Sequence, residues 1–422
     1  MDKQVLKQIL LDNAKLVEKI DLLPRLYDLD ESINYVFTGV RRAGKSYMMY
    51  ALIRRLLQRG CTMEDILYLN FEDERIDSFT AADFNLLLEC HQEIYGREPR
   101  IFLDEMQNID GWEKFARRMA DSKVHICLTG SNAKMLSKEV MTTLGGRLIP
   151  KDIYPYSFKE YLNAMQVSYN EKALLTTAGR ALFFQQYREY FFWGGMPETV
   201  GMKSKRDYLS STYQKIYLND IVSRNKISNI AALRLLVKKL AESVKQPVSY
   251  NRMSNILSTI NGKISVPTVQ SYISHIEDAW FLLRLRNITG ALSEKESMCK
   301  YYFIDNGFLN LFLLDGESSL LENMVALELF RRYGHDPEND TVYFYNGGEE
   351  VDFYVPEEKW AIQVAYNLSE ETTRQREVNA LTRIANVLPC QRRTLITYDT
   401  KDTIADAHGE IEVVPCWEWL IK

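Results

Sequence analysis

The sequence predicts an α/β protein whose leading part is a mostly parallel sheet covered by helices on both faces. Two observations carry that expectation. From residue 33 onward, short runs rich in β-branched and aromatic residues alternate with longer Leu-, Phe- and Ala-rich helical stretches, the pattern of βαβ units. Small polar clusters at 44–46, 104–105 and 130–132 also fall at the ends of such runs, where open parallel sheets hold their ligands.

A chain of 422 residues is too long for one core and is expected to form about two to four domains. Its 46% hydrophobic and 26% charged residues are ordinary for a globular protein. A net charge of -5 excludes a nucleic-acid signature spread over the whole chain, so any such binding must come from a local basic patch. The cysteines at 61, 90, 127, 299, 390 and 416 lack C-x-x-C spacing. That argues against a zinc site or a disulfide framework and suits a reducing compartment. The N-terminus reads as an amphipathic helix with charges throughout, not as a signal peptide. No stretch approaches the roughly 20 apolar residues of a membrane span, so the expectation is a cytoplasmic protein without membrane contact.

Residues 1–32 read as a helix and a connector through Pro24. Residues 33–38 form the first strand, and 47–53 with Leu56 and Leu57 form a helix with a wide apolar face. Between them stands Gly39-Val40-Arg41-Arg42-Ala43-Gly44-Lys45-Ser46, which fits G-x-x-x-x-G-K-[ST]. A strand, a Gly-bearing loop and a helix start together make an anion site: successive N–H groups point inward and the helix dipole adds positive charge. Lys45 would reach the β- and γ-phosphates, and the Ser46 hydroxyl would ligate Mg2+. The expected nucleotide-binding set is Gly39, Arg41, Arg42, Ala43, Gly44, Lys45, Ser46 and Tyr47, although Arg41 and Arg42 would be equally at home in solvent.

Further strands are expected at 66–71, 100–105 and 125–132. The third ends in Asp104-Glu105, an acidic pair that suits this chemistry: the Asp holds Mg2+ through water and the Glu polarises the attacking water. A solvated pair at a strand end is the ordinary alternative. After the fourth strand, Ser131 or Asn132 would either orient water near the γ-phosphate or cap the next helix. Arg147, after Gly145-Gly146, would stabilise developing charge in cis or from a neighbouring subunit, or else form a surface ion pair.

The composition shifts near Pro155, and 158–225 read as helices broken by a tight turn at 192–198. Three helical segments (230–244, 249–257, 268–277) and a strand at 281–286 resemble a winged helix-turn-helix by pattern. Its cations Lys238, Lys239, Lys245, Arg252, Lys263, Arg284 and Arg286 would serve phosphate contacts, although Glu277 and Asp278 dilute the charge and a protein-contact module is the equal alternative. Strands at 301–304, 342–345, 351–355 and 360–365 and a helix at 320–333 follow. The expected domains are 1–32, 33–157, 158–228, 229–290 and 291–422.

Several motifs recur in order: Thr38–Ser46, Phe102–Gln107 with Gly111-Trp112-Glu113, Leu128–Asn132, and Gly146-Arg147 ahead of Pro155–Glu160. Gly194–Glu198, Asn219-Asp220-Ile221, Asp305-Asn306-Gly307, Leu321-Glu322-Asn323 and Glu350–Phe353 continue the series. Together they resemble a group of prokaryotic AAA+-type P-loop ATPases in which the ATPase domain precedes a domain of unknown function, itself a winged helix plus a restriction-endonuclease-like fold. The resemblance implies ATP as the nucleotide, its hydrolysis, a sensor role for Asn132 or Ser131, and the metal and water roles at Asp104 and Glu105. It also implies that the strand before Ser131 lies between the strands before Gly39 and Glu105.

A nuclease of the PD-(D/E)xK type would need an Asp, an acidic residue and a Lys. Asp352 fits the first place, and Glu322 or Glu328 would add a helix carboxylate, but Gln363 and Ala365 occupy the other two. Neither replaces what the metal chemistry requires, so cleavage is not expected of this portion. The overall expectation is a Mg2+-dependent ATPase coupling nucleotide state to C-terminal modules that bind duplex DNA, a protein or a second copy of the chain. The alternatives are a nucleotide-switched DNA-binding adaptor with negligible turnover and, as the weaker option, an ATP-regulated nuclease.

Overall fold

A computed structural model describes residues 1–133, 138–291, 297–335 and 340–422. It divides into two units, Met1–Tyr154 with Asp278–Trp280, and Pro155–Glu277 with Phe281–Lys422. In the first unit, helix α1 (Lys3–Lys19) starts at Asp2, whose carboxylate accepts the Gln4 and Val5 N–H groups. Its apolar residues at i, i+3 and i+4 (Leu6, Ile9, Leu10) join Leu67, Leu69 and Phe84 in one core. There follow β1 (Tyr35–Thr38), α2 (Lys45–Gln58), β2 (Ile66–Asn70), α3 (Phe84–Tyr95), β3 (Arg100–Asp104), α4 (Trp112–Asp121), β4 (Ile126–Gly130), α5 (Lys138–Leu144) and β5 (Ile149–Asp152).

The sheet order is β2-β3-β4-β1-β5 and every pairing is parallel. β1 and β4 are buried throughout, which explains their unbroken apolar reading. β5 lies at an edge, half exposed and containing Pro150. A proline is tolerated there because only one side of the strand is bonded. With all strands parallel, the loops after β1, β3 and β4 emerge along the same edge. β4 pairs with both β1 and β3, as the resemblance implied.

The second unit opens with α6 (Phe158–Ala164), α7 (Glu171–Leu175), α8 (Thr177–Trp193), α9 (Lys205–Lys215) and a π-helical stretch, Ile216–Ser223. Next come α10 (Ile230–Glu242), β6 (Val248–Ser249), α11 (Tyr250–Asn261), α12 (Val266–Asp278), β7 (Leu282–Leu285) and β8 (Met298–Phe303). β8 is the central strand of a sheet ordered β6-β8-β7. This small sheet therefore closes beyond residue 290, where the sequence had suggested a boundary. Composition could not reveal this, because pairing with β6 and β7 defines the module.

After α13 (Asn306–Asn310), helix α14 (Glu317–Tyr333) is buried on all sides from Leu320 to Phe330, as a helix inside a core must be. β9 (Tyr343–Asn346), β10 (Glu350–Val355), β11 (Trp360–Ala365), α15 (Glu371–Ile384), β12 (Arg392–Thr397), β13 (Asp402–Asp406), β14 (Gly409–Pro415) and α16 (Cys416–Ile421) complete the chain. Their mixed sheet has the order β13-β14-β12-β11-β10-β9. Two motifs far apart in sequence meet in this unit: Asp305 accepts the N–H groups of Gly195 at 2.7 Å and Gly307 at 2.8 Å. Burial pushes its carboxyl up to about 7 against the pull of those donors. Among the described residues no helix is long and apolar enough to cross a membrane.

Candidate nucleotide site and C-terminal carboxylate cluster

The loop after β1 owes its path to two glycines. Gly39 has φ +147°, and a Cβ there would stand 2.2 Å from the Ile153 carbonyl oxygen, so the loop runs against the end of β5. Gly44 caps α2 with φ +98°, a left-handed geometry that L side chains adopt only with strain. Lys45 is 3% exposed; its ammonium donates to the carbonyls of Gly39 (3.2 Å) and Val40 (3.1 Å) and lies 3.8 Å from Glu105 Oε1. Ala43 is buried and its carbonyl accepts Arg25 Nη1 at 3.1 Å. Arg41 pairs with Glu72 at 2.7 Å, Arg42 is half-buried with φ +66°, and Tyr47 is exposed.

The loop after β3 holds the two acids in different environments. Asp104 is fully buried and accepts hydrogen bonds from Tyr68 Oη (2.9 Å), Thr129 Oγ1 and the Ser46 hydroxyl. Burial and the adjacent Glu105 charge raise its pKa, with those three donors pulling against them. Burial also pushes Glu105 upward, but Lys45, Gln107 and Arg41 outweigh it and hold the carboxyl below its ordinary range. Glu105 itself has φ +56°, and its N–H donates to Thr129 Oγ1 at 3.0 Å. Gln107 Nε2 donates to Glu105 Oε2 at 2.5 Å and to Ser131 Oγ at 3.2 Å, while Gln107 Oε1 accepts the Ser131 N–H at 3.3 Å. Asn132 is buried beside Ser131 after β4.

Lys45, Ser46, Asp104, Glu105 and the Ser131-Asn132 pair thus meet on one sheet edge. Arg147 does not join them. It precedes β5, its carbonyl accepts Asn34 Nδ2 just before β1, and its guanidinium pairs with Asp121. Because β1 and β5 run parallel, that position is at the opposite end of the strands from the glycine loop, so the expected contact in cis is not made. Sequence reasoning missed Tyr68, Thr129 and Gln107 as site residues. The register offers a signal for the first two: Leu103 lies opposite Leu128, which sets Thr129 beside Asp104, and Asn70 lies opposite Asp104, so Tyr68, two residues earlier, shares the acid's face of the sheet.

In the C-terminal sheet, the carboxylates gather around a lysine. Lys300 of β8 has no exposure, and its ammonium lies 3.1 Å from Glu322, 2.7 Å from Glu350 and 3.0 Å from Asp352. Burial lowers the lysine's pKa, but Glu322, Tyr302, Asp352 and Glu350 more than reverse it and keep the ammonium charged. Burial and Asp352 push the Glu322 carboxyl up to about 7, with Lys300 pulling it back. Of the two helix acids, Glu322 belongs to this cluster; Glu328 is bonded instead to Arg331 and Arg332. Gln363 Oε1 accepts the Asp352 N–H at 3.0 Å and its Nε2 donates to Glu377 at 2.6 Å. A cavity of about 590 Å³ opens here, lined by Lys245, Glu322, Asp352, Gln363, Arg376 and Glu377 among others. Among the described residues no three His, Cys, Asp or Glu side chains are grouped to hold a metal ion.

The helices α10 to α12 with the β6-β8-β7 sheet present fewer cations than the sequence promised. Arg284 pairs with Glu277, Arg286 with Asp340 and Lys239 with Glu242. Lys238, Arg252 and Lys263 are exposed, as are Gln270, Ser271 and Ser274 on α12.

Residues 32–162 match an AAA domain, and residues 184–319 and 317–419 match two domains of unknown function (DUF8612 and DUF4143). An uncharacterised protein of Methanocaldococcus jannaschii is 32% identical, covering 99% of this chain and 96% of its own length. Another from Haemophilus influenzae is 32% identical over 80% of this chain and 83% of its own. The solved Walker-type ATPase of Pyrococcus abyssi is similar over 70% of this chain and 99% of its own, at 12% identity and a TM-score of 0.42.

Proposed function

The chain belongs to the family of AAA-domain proteins that carry these two domains of unknown function, and from that premise we propose that it is a Mg2+-dependent ATPase. The observation that carries the reading is the meeting of Lys45, Asp104 and Glu105 on one edge of the parallel sheet. The loop's path rests on two glycines with positive φ, the backbone freedom that a phosphate-wrapping loop uses, and Lys45 would exchange the Gly39 and Val40 carbonyls for phosphate oxygens. Ser46 and Asp104 offer a hydroxyl and a carboxylate, hard oxygen donors that suit Mg2+. Those two residues would hold Mg2+, which would supply charge neutralisation for the phosphates. Glu105 stays ionised and acts as the acceptor that polarises water; Asn132 or Ser131 orients it. Arg147 is available to this chemistry only from a neighbouring copy of the chain.

Glu105→Gln keeps the shape of the side chain and removes its charge. Nucleotide affinity is expected to stay within about twofold while kcat falls about 10²–10⁴-fold, the range for a general base. Equilibrium binding of a fluorescent ATP analogue and steady-state phosphate release measure the two. Undiminished turnover in the variant would remove the assignment.

A second reading, a nucleotide-switched adaptor for duplex DNA, is favoured by one observation: three helices and a small sheet in winged-helix order, with hydrogen-bonding side chains exposed on the third helix. If Lys238, Arg252 and Lys263 each neutralise one phosphate, log K against log salt is expected to fall with a slope of about -2.7. Salt titration of duplex binding, with and without ATP, tests this, and binding that ignores salt would rule it out.

A further inference from the structure

Glu105 is held chiefly from two sides, with the Ser131 hydroxyl and the Arg41 charge adding to the hold. Lys45 attracts Oε1 from 3.8 Å, and Gln107 donates to Oε2 at 2.5 Å. The backbone beneath is already fixed: the Glu105 N–H is bonded to Thr129, the Met106 side chain is wholly buried, and Asn108 Nδ2 donates to the Phe71 carbonyl at 3.1 Å. What remains free at residue 105 is the side-chain rotamer. Coulomb attraction alone would draw the carboxylate onto the Lys45 ammonium, where it could no longer face water. Gln107 opposes that pull. Both ends of its amide are in use, the nitrogen on Glu105 and Ser131 Oγ and the oxygen on the Ser131 N–H. Reversing the amide would set its oxygen against the carboxylate, so its orientation is fixed.

We propose that Gln107 is the positioning residue of this site, aiming the Glu105 carboxylate and tying it to the loop after β4 through Ser131. The inference rests on the ATPase reading, with Gln107 acting only through Glu105. It predicts a particular kinetic signature in the full chain. Gln107→Ala lowers kcat about tenfold, the scale of a small misplacement of a reacting group, while KM for MgATP and the affinity for a fluorescent ATP analogue stay within about twofold. Gln107→Glu keeps the size of the side chain but loses the donor and adds a like charge, so it loses at least as much. Ser131→Ala removes one of the two anchors of the amide together with the hydroxyl's own bond to Glu105, and gives an intermediate loss while Gln107 stays in place. In a Glu105→Gln background, Gln107→Ala costs nothing further, because residues that act through one another are not additive.

Steady-state phosphate release and equilibrium nucleotide binding on wild type, the three single variants, Glu105→Gln and the double variant decide the matter, with circular dichroism to compare folding. An equal loss from Gln107→Ala in both backgrounds overturns the proposal, as does a rise in KM with kcat intact or unchanged kinetics. A wild type that turns over while Gln107→Ala matches it removes Gln107 alone. A wild type no faster than Glu105→Gln removes the ATPase reading and this proposal with it.

Discussion

Lys45→Ala is expected to leave a folded protein that neither retains MgATP nor turns it over, with kcat/KM down by at least about 10²–10³-fold, the loss typical of one preorganised charge-stabilising group. The ammonium sits inside the glycine loop, nearly buried, bonded to two of its carbonyls and within reach of Glu105. Its removal also takes a donor from the Gly39 and Val40 carbonyls, although the Val40 oxygen keeps the Ala43 N–H at 3.2 Å. That costs about 1–3 kcal/mol, so binding must be measured on protein checked for its fold. Isothermal titration with MgATP is the direct measurement. Wild-type affinity in the variant would place the phosphates elsewhere and withdraw the roles given to Ser46 and Asp104.

The second large effect concerns stability. Lys300→Met keeps the aliphatic stem and removes the charge that faces Glu322, Glu350 and Asp352. Breaking a buried ion pair from one side costs about 3–5 kcal/mol, because the nearly buried Glu322 and Asp352 are left without their counter-ion. The loss would be read as a lower urea midpoint for the second unit with an unchanged slope. It also carries a pH dependence. The Glu322 carboxyl already stands at about 7, above its ordinary 4.5, and without the lysine it would rise further. A carboxyl raised in the folded state favours folding below its ordinary pKa and opposes it as pH climbs through the raised value. The penalty in Lys300→Met is therefore expected to be smallest near pH 5 and largest at pH 8. A uniform loss across that range would mean that packing, not charge, accounts for it.

The parts of the molecule legible in sequence are those whose signals are local. β1, the glycine loop and α2 are adjacent in the chain, and each announces itself by composition, so the loop could be placed within a residue or so. β10 and β11 were equally plain as apolar runs between turns. β5 was not, since Pro150 and half-exposed neighbours give it no strand pattern; its existence depends on the bonds to β1. β12, β13 and β14 were likewise not resolved, the last two pairing with strands identified only in three dimensions. Lys300 shows the limit most clearly. In a strand-like run a lysine reads as a solvent-facing residue, and only the acids 22, 50 and 52 positions further on make it a buried one. Gln107 was quoted as part of a motif, yet nothing in its spacing from Glu105 reveals the contact with Ser131. Arg147 was located correctly in the chain, but strand direction, which sequence does not state, sends it to the far edge.

The lysine at the middle of β8 also limits how the chain can be cut. β8 supplies hydrogen bonds to β6 and β7 along its edges, while its ammonium is matched by acids on α14 and β10. A fragment stopping at 290 would lack the strand that closes the small sheet. One stopping just after 303 would carry a dehydrated cation with no anions beside it, and its complement would carry the anions alone. Separate expression of these two modules therefore severs a junction that neither piece can heal, and biochemistry on the C-terminal half is best done with the two left joined.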